Sequence, residues 1–394
     1  MLPSGLQALG IRTLRHVPDR LLSIGLPSRL RFDPWSVPTP EPRADAPVRV
    51  FVGPVNFAGQ GWQWARALER NLPGVSAVSM AYSATSGYGF PIDIEVPASV
   101  YLLSGSWQRR HRTAVRSRFT HVILEAGRHL FGRAYDERVL DEIRDLQAAG
   151  VRVAMLTHGS DMRSPARHVA AHPDSPYGEW SLSPVLEAEA ARNRALLDEA
   201  GVPIFASTPG MLADVPEAVW LPVVVDVERW AGGPTPLERA RPVVVHLPSK
   251  AVVKGSDLIE PKVRRLHEDG LIEYRRVEGV PSAEVPGIFR EADIVLDQFR
   301  LGDYGVAACE AMASGRIVVG NVDASVREAV RTTYGRDLPI VESSASEVAG
   351  VIRAIVADPA RFRGVASDGA AFAREVHDGR ASARAAASFL GVDA

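Results

Sequence analysis

Short apolar segments alternate with helical segments along most of this chain, and the alternation limits the fold more than any single motif does. In the first half the strand candidates are Val48–Val52, Ser76–Met80, Val100–Leu103, His121–Glu125, Val151–Thr157 and Pro203–Ser207. The helix candidates there are Trp62–Arg70, Glu137–Ala149 and Pro184–Ala200. Because helices cover both faces of a parallel sheet, its strands are near-continuous apolar runs. The pattern predicts an α/β fold with a doubly wound parallel sheet.

A stretch rich in proline and glycine divides the chain near its middle. Leu221–Asp226 and Gly232–Pro236 separate the first series from a second one. The second series has strand candidates at Val243–Leu247, Ile272–Val277, Ile294–Asp297 and Ile317–Val319, and helix candidates at Ser256–Asp269, Ala283–Ala292, Val306–Ser314, Val326–Arg331, Ser346–Asp358 and Ala360–Val376. We predict two similar domains, residues 48–222 and 223–375, that face each other across a cleft.

Two further segments flank these domains. Residues 1–47 are predicted to be an extension that ends in a linker, because the prolines between Pro34 and Pro47 disfavour both helix and strand. Residues 376–394 contain the alanine-rich stretch Ala381–Leu390, which predicts a last helix. This helix could cross back to the N-terminal domain.

The composition favours a soluble cytoplasmic protein. At 394 residues the chain exceeds the size of one ordinary core. The net charge of -2 argues against a nucleic-acid partner, because neutralising phosphates requires a basic surplus. The single cysteine, Cys309, excludes an intramolecular disulfide and a cysteine-based zinc cluster, which fits a reducing compartment. No apolar run approaches the roughly 18–20 residues that span a bilayer.

Two basic or amphipathic segments keep two interpretations each. Residues 1–33 are leucine-rich and weakly amphipathic, so they could pack on the body or rest on a membrane surface. Arg109–Arg118 contains a cluster of arginines. It is either a solvated face or a patch for an anionic acceptor or anionic lipid headgroups. Peripheral contact with the inner face of the membrane therefore stands as an alternative to a purely cytoplasmic location.

The stretch Asp293–Gly315 carries the clearest sign of a ligand site. It begins as an apolar strand, continues through the loop Gly302-Asp303-Tyr304-Gly305, and becomes an alanine-rich helix from about Val306. Such a unit places free backbone N–H groups and the positive end of a helix dipole at the loop, which favours an anion. Glu310 lies in that helix among alanine and cysteine, where a carboxylate has little structural reason to occur.

Other polar groups follow strand ends, the edge where doubly wound sheets bind ligands. Ser249, Lys250 and Lys254 lie in the loop before the first helix of the second domain, and two lysines suit a diphosphate. In the first domain, Asn56–Gly61 is a glycine-rich loop that is either a structural turn or a ligand loop. His158 follows another strand and either bonds nearby backbone or faces a ligand. Asp161 could form a local ion pair with Arg163.

These motifs together resemble a known family. The second half is similar to the C-terminal domain of retaining GT-B glycosyltransferases of the family 4-like group, also called glycosyl transferases group 1. The similarity is carried by Lys254-Gly255, by Ala292–Val295 and by Gly305–Gly315. Leu221–Trp230 resembles the domain-junction motif of the group, and His158–Asp161 resembles its histidine loop. The resemblance implies two Rossmann-like domains and binding of a nucleotide-sugar donor.

The resemblance also implies roles for residues of the second domain. Glu310 matches the second glutamate of a Glu-x7-Glu motif, which implies hydrogen bonds to the nucleotide ribose. The first glutamate, which contacts the donor sugar, would fall on Gly302, and the adjacent Asp303 is a candidate replacement. Lys254 matches the diphosphate lysine, and Lys250 is the candidate for its missing arginine partner.

In the first domain the same resemblance assigns the glycine loop and the histidine. Gly59 and Gly61 match the loop near the donor phosphates, and His158 matches the residue beside the transferred sugar. The predicted catalytic residues are His158, Lys250 and Lys254, and the predicted donor-binding residues are Gly59, Gly61, Ser249, Gly302, Asp303, Tyr304, Gly305, Val306 and Glu310. Asp161, Asp297 and Gln298 keep no assigned role. Asp297 and Gln298 either orient the loop or reach the sugar.

The function implied is transfer of a sugar to an unidentified acceptor hydroxyl with retention of configuration. The departing phosphate can take the acceptor proton, so no cofactor and no metal are predicted. Two alternatives remain. One is another enzyme on the same fold, such as a sugar-nucleotide epimerase or a phosphorylase, and the other is a non-catalytic protein that binds a nucleotide sugar or a partner.

Overall fold

The protein contains two parallel sheets, each covered by helices. A computed structural model describes residues 17–25, 31–83, 89–136 and 138–393. Within these ranges the prolines before Val48 lie in turns and extended backbone, as the sequence predicts. The part of the N-terminal segment that is described includes a short helix α1 (Asp19–Gly25). Most of the predicted amphipathic segment, residues 1–16 and 26–30, lies outside the described residues.

The first domain is built on a seven-stranded parallel sheet with the order β3-β2-β1-β4-β5-β6-β7. Its strands are β1 (Val48–Gly53), β2 (Val75–Ser83), β3 (Ile94–Pro97), β4 (His121–Glu125), β5 (Arg152–Thr157), β6 (Ile204–Ala206) and β7 (Val219–Trp220). Its helices are α2 (Gln60–Asn71), α3 (Ala98–Leu103), α4 (Gly105–Arg118), α5 (Val139–Ala148), α6 (Pro165–Ala171) and α7 (Ser183–Ala200). Every residue of β4 is buried, which explains the apolar run from Val122 to Leu124 at its centre.

The second domain is built on a five-stranded parallel sheet with the order β12-β11-β10-β8-β9. Its strands are β8 (Val243–His246), β9 (Glu273–Arg276), β10 (Ile294–Leu296), β11 (Ile317–Gly320) and β12 (Val341–Glu342). The helices from the domain junction onward are α8 (Val227–Trp230), α9 (Ala251–Lys254), α10 (Ser256–Glu268), α11 (Val285–Glu291), α12 (Val306–Ala313), α13 (Ala324–Tyr334), α14 (Val348–Ala357), α15 (Pro359–Val376) and α16 (Arg380–Leu390).

Each sheet has a switch point, where the strand order reverses direction. In the first sheet it lies between β1 and β4, and in the second it lies between β8 and β10. Open α/β sheets bind ligands in the crevice beyond the carboxyl ends of the strands at this point. The loops that leave these four strands therefore define where a ligand site is expected.

The chain passes between the domains twice, and the two passages are bonded to each other. On the first passage Val223 and Val225 lead to α8, and on the second His377 leads to α16. The Val225 N–H donates to the His377 carbonyl oxygen at 2.7 Å, and His377 Nδ1 donates to the Val223 carbonyl oxygen at 2.8 Å. Burial lowers the pKa of His377 to about 4, so its imidazole stays neutral near pH 7 and its bond to Val223 does not change there.

The last helix packs on the first domain. The ring of Phe389 in α16 meets the rings of His121 and Phe205 edge-on, with centroids 5.2 and 5.9 Å apart. Ser382 Oγ donates to the Pro222 carbonyl oxygen at 2.7 Å. The final segment of the chain thus belongs to the core of the N-terminal domain.

One strand prediction is wrong. Residues 100–103, predicted to be a strand, form the end of α3, and the strand that the sheet uses is β3 immediately before it. A run of four apolar residues does not distinguish a buried strand from one face of a short helix. Helix α4 was not predicted, because its arginines conceal its apolar positions.

The arginines of α4 are largely engaged by the protein itself. Arg112 forms two hydrogen bonds with the Asp145 carboxylate, at 2.9 and 2.6 Å, and Arg116 lies 3.1 Å from the same group. Arg110 lies 3.9 Å from the ring centroid of Trp35. Arg118 donates to the Pro40 carbonyl oxygen at 3.1 Å. These contacts attach α4 to α5 and to the proline-rich linker.

Within the described ranges, no helix combines the length and the apolar character that a membrane span requires.

Candidate functional site

The lysine loop, residues 247–255, lies at the switch point of the second sheet. Lys254 is the last residue of α9, and its ammonium group forms an ion pair with Asp297, which follows β10. The loop is held in place because the Phe299 N–H donates to the Lys254 carbonyl oxygen at 3.0 Å. Gly255 is needed there, since its φ is 73° and a Cβ would lie 3.1 Å from Arg300 Cγ. Asp297 therefore fixes the charge of Lys254 at the sheet edge.

Lys250 lies at the start of this loop and faces the other domain. It is exposed, and its Nζ lies 6.0 Å from the ring centroid of Trp180 in the first domain. Its neighbour Ser249 is also exposed. The two lysines thus differ in environment. Lys254 is paired with a buried carboxylate, whereas Lys250 is exposed and can turn towards a ligand in the cleft.

The loop Gly302–Gly305 explains why a glutamate is absent at its first position. Gly302 has a φ of 66°, which L-residues rarely adopt. A Cβ at Gly302 would lie 2.3 Å from the Asp323 carboxylate carbon and both of its oxygens. The backbone here accepts glycine alone, which explains why the glutamate that the resemblance places at this position is absent.

Asp303 is directed into the first domain. Its carboxylate Oδ2 accepts from Thr208 Oγ1 at 2.6 Å and lies 3.4 Å from Arg163 Nη2. Only 5% of Asp303 is exposed. Burial raises the pKa of this carboxyl, and the charge of Arg163 opposes the increase. In this conformation the predicted contact of Asp303 with a donor sugar is replaced by a bond between the domains.

Gln298 orients the loop. Its Nε2 donates to the Asp303 carbonyl oxygen, and its Oε1 accepts from the Leu301 N–H at 2.7 Å. Tyr304 is buried beside the second interdomain passage, with its hydroxyl 3.4 Å from His377 Nε2. Gly305 caps α12 and Val306 begins it, so the N-terminal end of that helix opens at the loop.

Glu310 is a half-buried carboxyl in the middle of α12. Burial raises its pKa to about 8, and the nearby charges of Arg229 and Lys254 oppose the increase. Its neighbour Cys309 is buried, as a small core residue would be. Glu310 is therefore a carboxyl close to Lys254 whose raised pKa favours the protonated form, which can both donate and accept hydrogen bonds.

The N-terminal half of the site contains a histidine held on three sides. His158 Nε2 lies 3.1 Å from Glu125 Oε1, and Glu125 is completely buried at the end of β4. The rings of Phe57 and Trp64 lie against the imidazole, with centroids 5.1 and 5.6 Å away. Burial raises the pKa of Glu125, and the hydrogen bond with His158 opposes the increase. The pair fixes the orientation of the imidazole at the cleft.

Asp161 stabilises the same loop, because its carboxylate accepts hydrogen bonds from backbone N–H groups. Its Oδ1 accepts from the N–H groups of His158 and Gly159, at 3.0 and 2.7 Å. The predicted local ion pair of Asp161 with Arg163 is not formed, because Arg163 lies against Asp303 instead.

The loop Asn56–Gly61 needs both of its glycines for packing. Gly59 has a φ of 75°, and a Cβ there would lie 3.0 Å from the Phe90 ring. A Cβ at Gly61 would lie 2.9 Å from the Val55 carbonyl oxygen and 3.2 Å from Glu125 Oε2. This close approach lets the buried Glu125 sit beneath the loop. Phe57, 45% exposed, projects from the same loop beside His158.

Sequence reasoning missed several residues of this site. Glu125 and Thr208 contribute to it but belong to no motif that was recognised. Arg229, whose charge acts on Glu310, lies in the stretch that resembles the domain-junction motif, but no role was assigned to it. One signal was present, because Glu125 is a charged residue at the end of an otherwise apolar parallel strand. The pairing of Arg163 with Asp303 has no signal in a single sequence, since the two residues lie 140 positions apart.

No family model matches this sequence, and no curated protein matches it either. Solved structures do match in fold. The sucrose-phosphate synthase of Thermosynechococcus elongatus has a TM-score of 0.57 at 12% identity, over 85% of this chain and 96% of that one. The HepE protein of Anabaena, in complex with UDP-glucose, has a TM-score of 0.56 at 12% identity, over 87% and 99%.

A glycosyltransferase of Rickettsia africae also matches, with a TM-score of 0.52 at 9% identity over 87% of this chain and 97% of that one. These structural neighbours are GT-B glycosyltransferases. Together with the two parallel sheets and their helices, they show that this chain has the GT-B fold.

Proposed function

We propose that this protein is a glycosyltransferase that moves a sugar from a nucleotide-diphosphate sugar to an acceptor hydroxyl. The observation that carries the proposal is the placement of Lys254, Asp297 and Glu310 at the switch point of the second sheet. His158 and Glu125 stand at the corresponding edge of the first sheet. A phosphate-binding cation, a ribose-binding carboxyl and a positioned imidazole are what a cleft needs in order to hold a nucleotide sugar.

In the proposed complex the nucleotide binds to the second domain. Glu310 would hydrogen-bond the ribose hydroxyls, and Lys254, Lys250 and the N-terminal end of α12 would face the diphosphate. We propose UDP as the first nucleotide to test, because HepE, a structural neighbour, is described with UDP-glucose bound. Identity of 12% extends no further than fold, so GDP, ADP and dTDP belong in the same screen.

We further propose retention of configuration without a metal. The bond between the anomeric carbon and the β-phosphate oxygen breaks, and the acceptor oxygen attacks that carbon from the same face. The acceptor proton passes to the departing phosphate oxygen, so no separate base is required. Lys254 and Lys250 would stabilise the charge that develops on this phosphate, and His158 would orient the transferred sugar.

The direct experiment measures release of nucleoside diphosphate. Purified protein is incubated with UDP-glucose and related donors, with EDTA present, and release is followed against time. We expect slow hydrolysis of at least one donor, reduced at least tenfold in Glu310→Ala and Lys254→Ala. The matched control is Lys262→Ala, since Lys262 lies on α10 and donates to the Leu258 carbonyl oxygen of its own helix. Equal loss in the control would contradict the assigned roles.

A second function has one observation in its favour. Because Gly302 leaves no room for a sugar-reading side chain, the site could hold a nucleotide sugar without acting on it. That protein would be a non-catalytic nucleotide-sugar-binding or partner-binding protein on the same fold. Calorimetric binding of a donor with no diphosphate release, in the presence of a broad acceptor panel, would establish this function instead.

A further inference from the structure

A second cleft lies in the C-terminal domain, away from the loops described above. It has a volume of about 300 Å³ and lies beyond the end of α12, at the edge where β11 begins. One wall is α15, and the opposite wall is the segment 231–236 that follows α8. A space of this size holds a small metabolite.

The cleft carries positive charge that is not paired. Three arginines line it, Arg316, Arg363 and Arg374, and no carboxylate does. Across the described ranges, none of the three lies within 4.0 Å of a carboxylate oxygen in an ion pair, although most arginines of this domain do. Unpaired guanidinium groups gathered in one concave place attract an anion.

Two of the three guanidinium groups are held in place by backbone oxygens rather than by carboxylates. Arg316 is 4% exposed and donates to the Ser314 and Ala292 carbonyl oxygens, both at 2.8 Å. Arg363 donates to the Pro236 and Leu237 carbonyl oxygens, both at 3.1 Å. Carbonyl oxygens carry no net charge, so these bonds orient the two groups without neutralising them.

Two further features suit an oxyanion. Thr235 and Ser367 also line the cleft and carry hydroxyl groups, whereas the Ser314 hydroxyl donates to the Glu310 carbonyl oxygen at 3.0 Å. The C-terminal end of α12 lies at the cleft, and the partial negative charge of the helix dipole there disfavours an anion. Arg316 counteracts this charge by donating to the Ser314 carbonyl oxygen. Gly315 leaves the floor open, since a Cβ there would meet nothing within 4 Å.

We propose that this cleft is a binding site for a small phosphate monoester, separate from the donor site. Arg374, which is exposed on α15, and Arg363 would form the fork-shaped contacts that guanidinium groups make with phosphate oxygens. The rest of the molecule, a sugar or similar polar group, would lie along the hydroxyl groups. The proposal does not depend on the function proposed for the donor site.

The experiment is isothermal titration calorimetry at constant ionic strength, with inorganic phosphate and glucose 6-phosphate as separate probes and glucose as the uncharged control. The protein is the full chain carrying Lys250→Ala and Lys254→Ala, so that any phosphate binding by these two lysines is excluded from the measurement. We expect saturable binding, tighter for glucose 6-phosphate, and at least tenfold weaker after Arg374→Gln or Arg363→Gln. Tighter binding of inorganic phosphate would overturn the monoester assignment.

Arg361→Gln is the matched control, because Arg361 is exposed on the same helix and does not line the cleft. Circular dichroism of each variant verifies that it is folded. Binding that is unchanged by the Arg363 and Arg374 substitutions would overturn the proposal. So would an equal loss in the Arg361 control, or an absence of saturable heat with both probes.

Discussion

At the scale of single residues, the protonated state of Glu310 makes the most direct prediction. Its pKa rises from an ordinary 4.5 to about 8 because the carboxyl is buried. Below pH 4.5 the proton is bound in both the folded and the unfolded chain. Between pH 4.5 and 8 only the folded chain keeps it, so the stability that this group contributes is lost as the pH rises.

We therefore expect Glu310→Gln to gain stability relative to the parent as the pH is raised from 5.5 to 8.5. The glutamine amide does not titrate, so the variant does not lose this stability. The loss in the parent's free energy of unfolding is on the order of 2–4 kcal/mol after allowance for partial exposure. Urea unfolding of both proteins at several pH values measures the difference. Titration of all other groups cancels in that difference, and a pH-independent gap would show that the pKa of Glu310 is ordinary.

The backbone of Gly302 makes a second prediction at this scale. Gly302→Ala places a Cβ against the Asp323 carboxylate at a φ of 66°, so we expect a loss of about 2 kcal/mol or more in the free energy of unfolding. Gly305→Ala is the control, since Gly305 has a φ of -123° and no atom within 4 Å of a Cβ. Similar urea midpoints for the two variants would refute the steric argument.

At the scale of elements, α1 and α4 are joined by one carboxylate. Asp19 of α1 accepts from Ser104 Oγ at 2.6 Å and from the N–H groups of Gly105 and Ser106 at 3.1 and 3.3 Å. It thus satisfies the N-terminal end of α4 from another part of the chain. A carboxylate at this position is stabilised by the free N–H groups and by the helix dipole.

We expect Asp19→Ala to lower the free energy of unfolding by about 1 kcal/mol and to expose α1 to limited proteolysis. Asp33→Ala is the comparison, because its carboxylate accepts from Trp35 N–H within an exposed turn. If α1 is cleaved at the same rate in both variants, the carboxylate does not anchor it.

The elements also show how much the sequence alone could predict. Strand β4 was predicted with its bounds because burial on both faces requires an apolar centre, here Val122 to Leu124. Helix α4 and residues 100–103 were missed or assigned wrongly, because there the arginines bond to α5 and the linker and the apolar positions are too few to show a period. The sequence also predicted which residues lie beyond the ends of the strands, such as His158 and Lys254. It did not predict their partners, because contacts such as Thr208 with Asp303 join segments far apart in the sequence.

At the scale of the whole molecule, buried and half-buried polar contacts join the two domains. Arg163 and Asp303 are both nearly buried in the interface. Nearby, His172 Nε2 lies 2.8 Å from Asp323 Oδ2. Removing one member of a buried pair leaves the other charge without compensation, which costs about 3–5 kcal/mol.

We expect Arg163→Met to separate the domains, because hydration of Asp303 then favours an open cleft. Small-angle X-ray scattering should record a larger radius of gyration than in the parent. Arg167→Met is the control, since Arg167 pairs with Asp214 inside the first domain. An unchanged scattering curve for Arg163→Met would mean that this pair does not hold the cleft closed.

The double passage at Val225 and His377 has a mechanical consequence. A single connecting segment would let one domain swivel and twist on the other in any direction. Two segments that lie side by side and share hydrogen bonds form a single hinge region. Motion between the domains is then confined largely to rotation about one axis through the two segments. Each closure of the cleft therefore brings the same residues of the two domains together. For the glycosyl transfer proposed above, such a restriction would help to align the leaving phosphate with the acceptor hydroxyl.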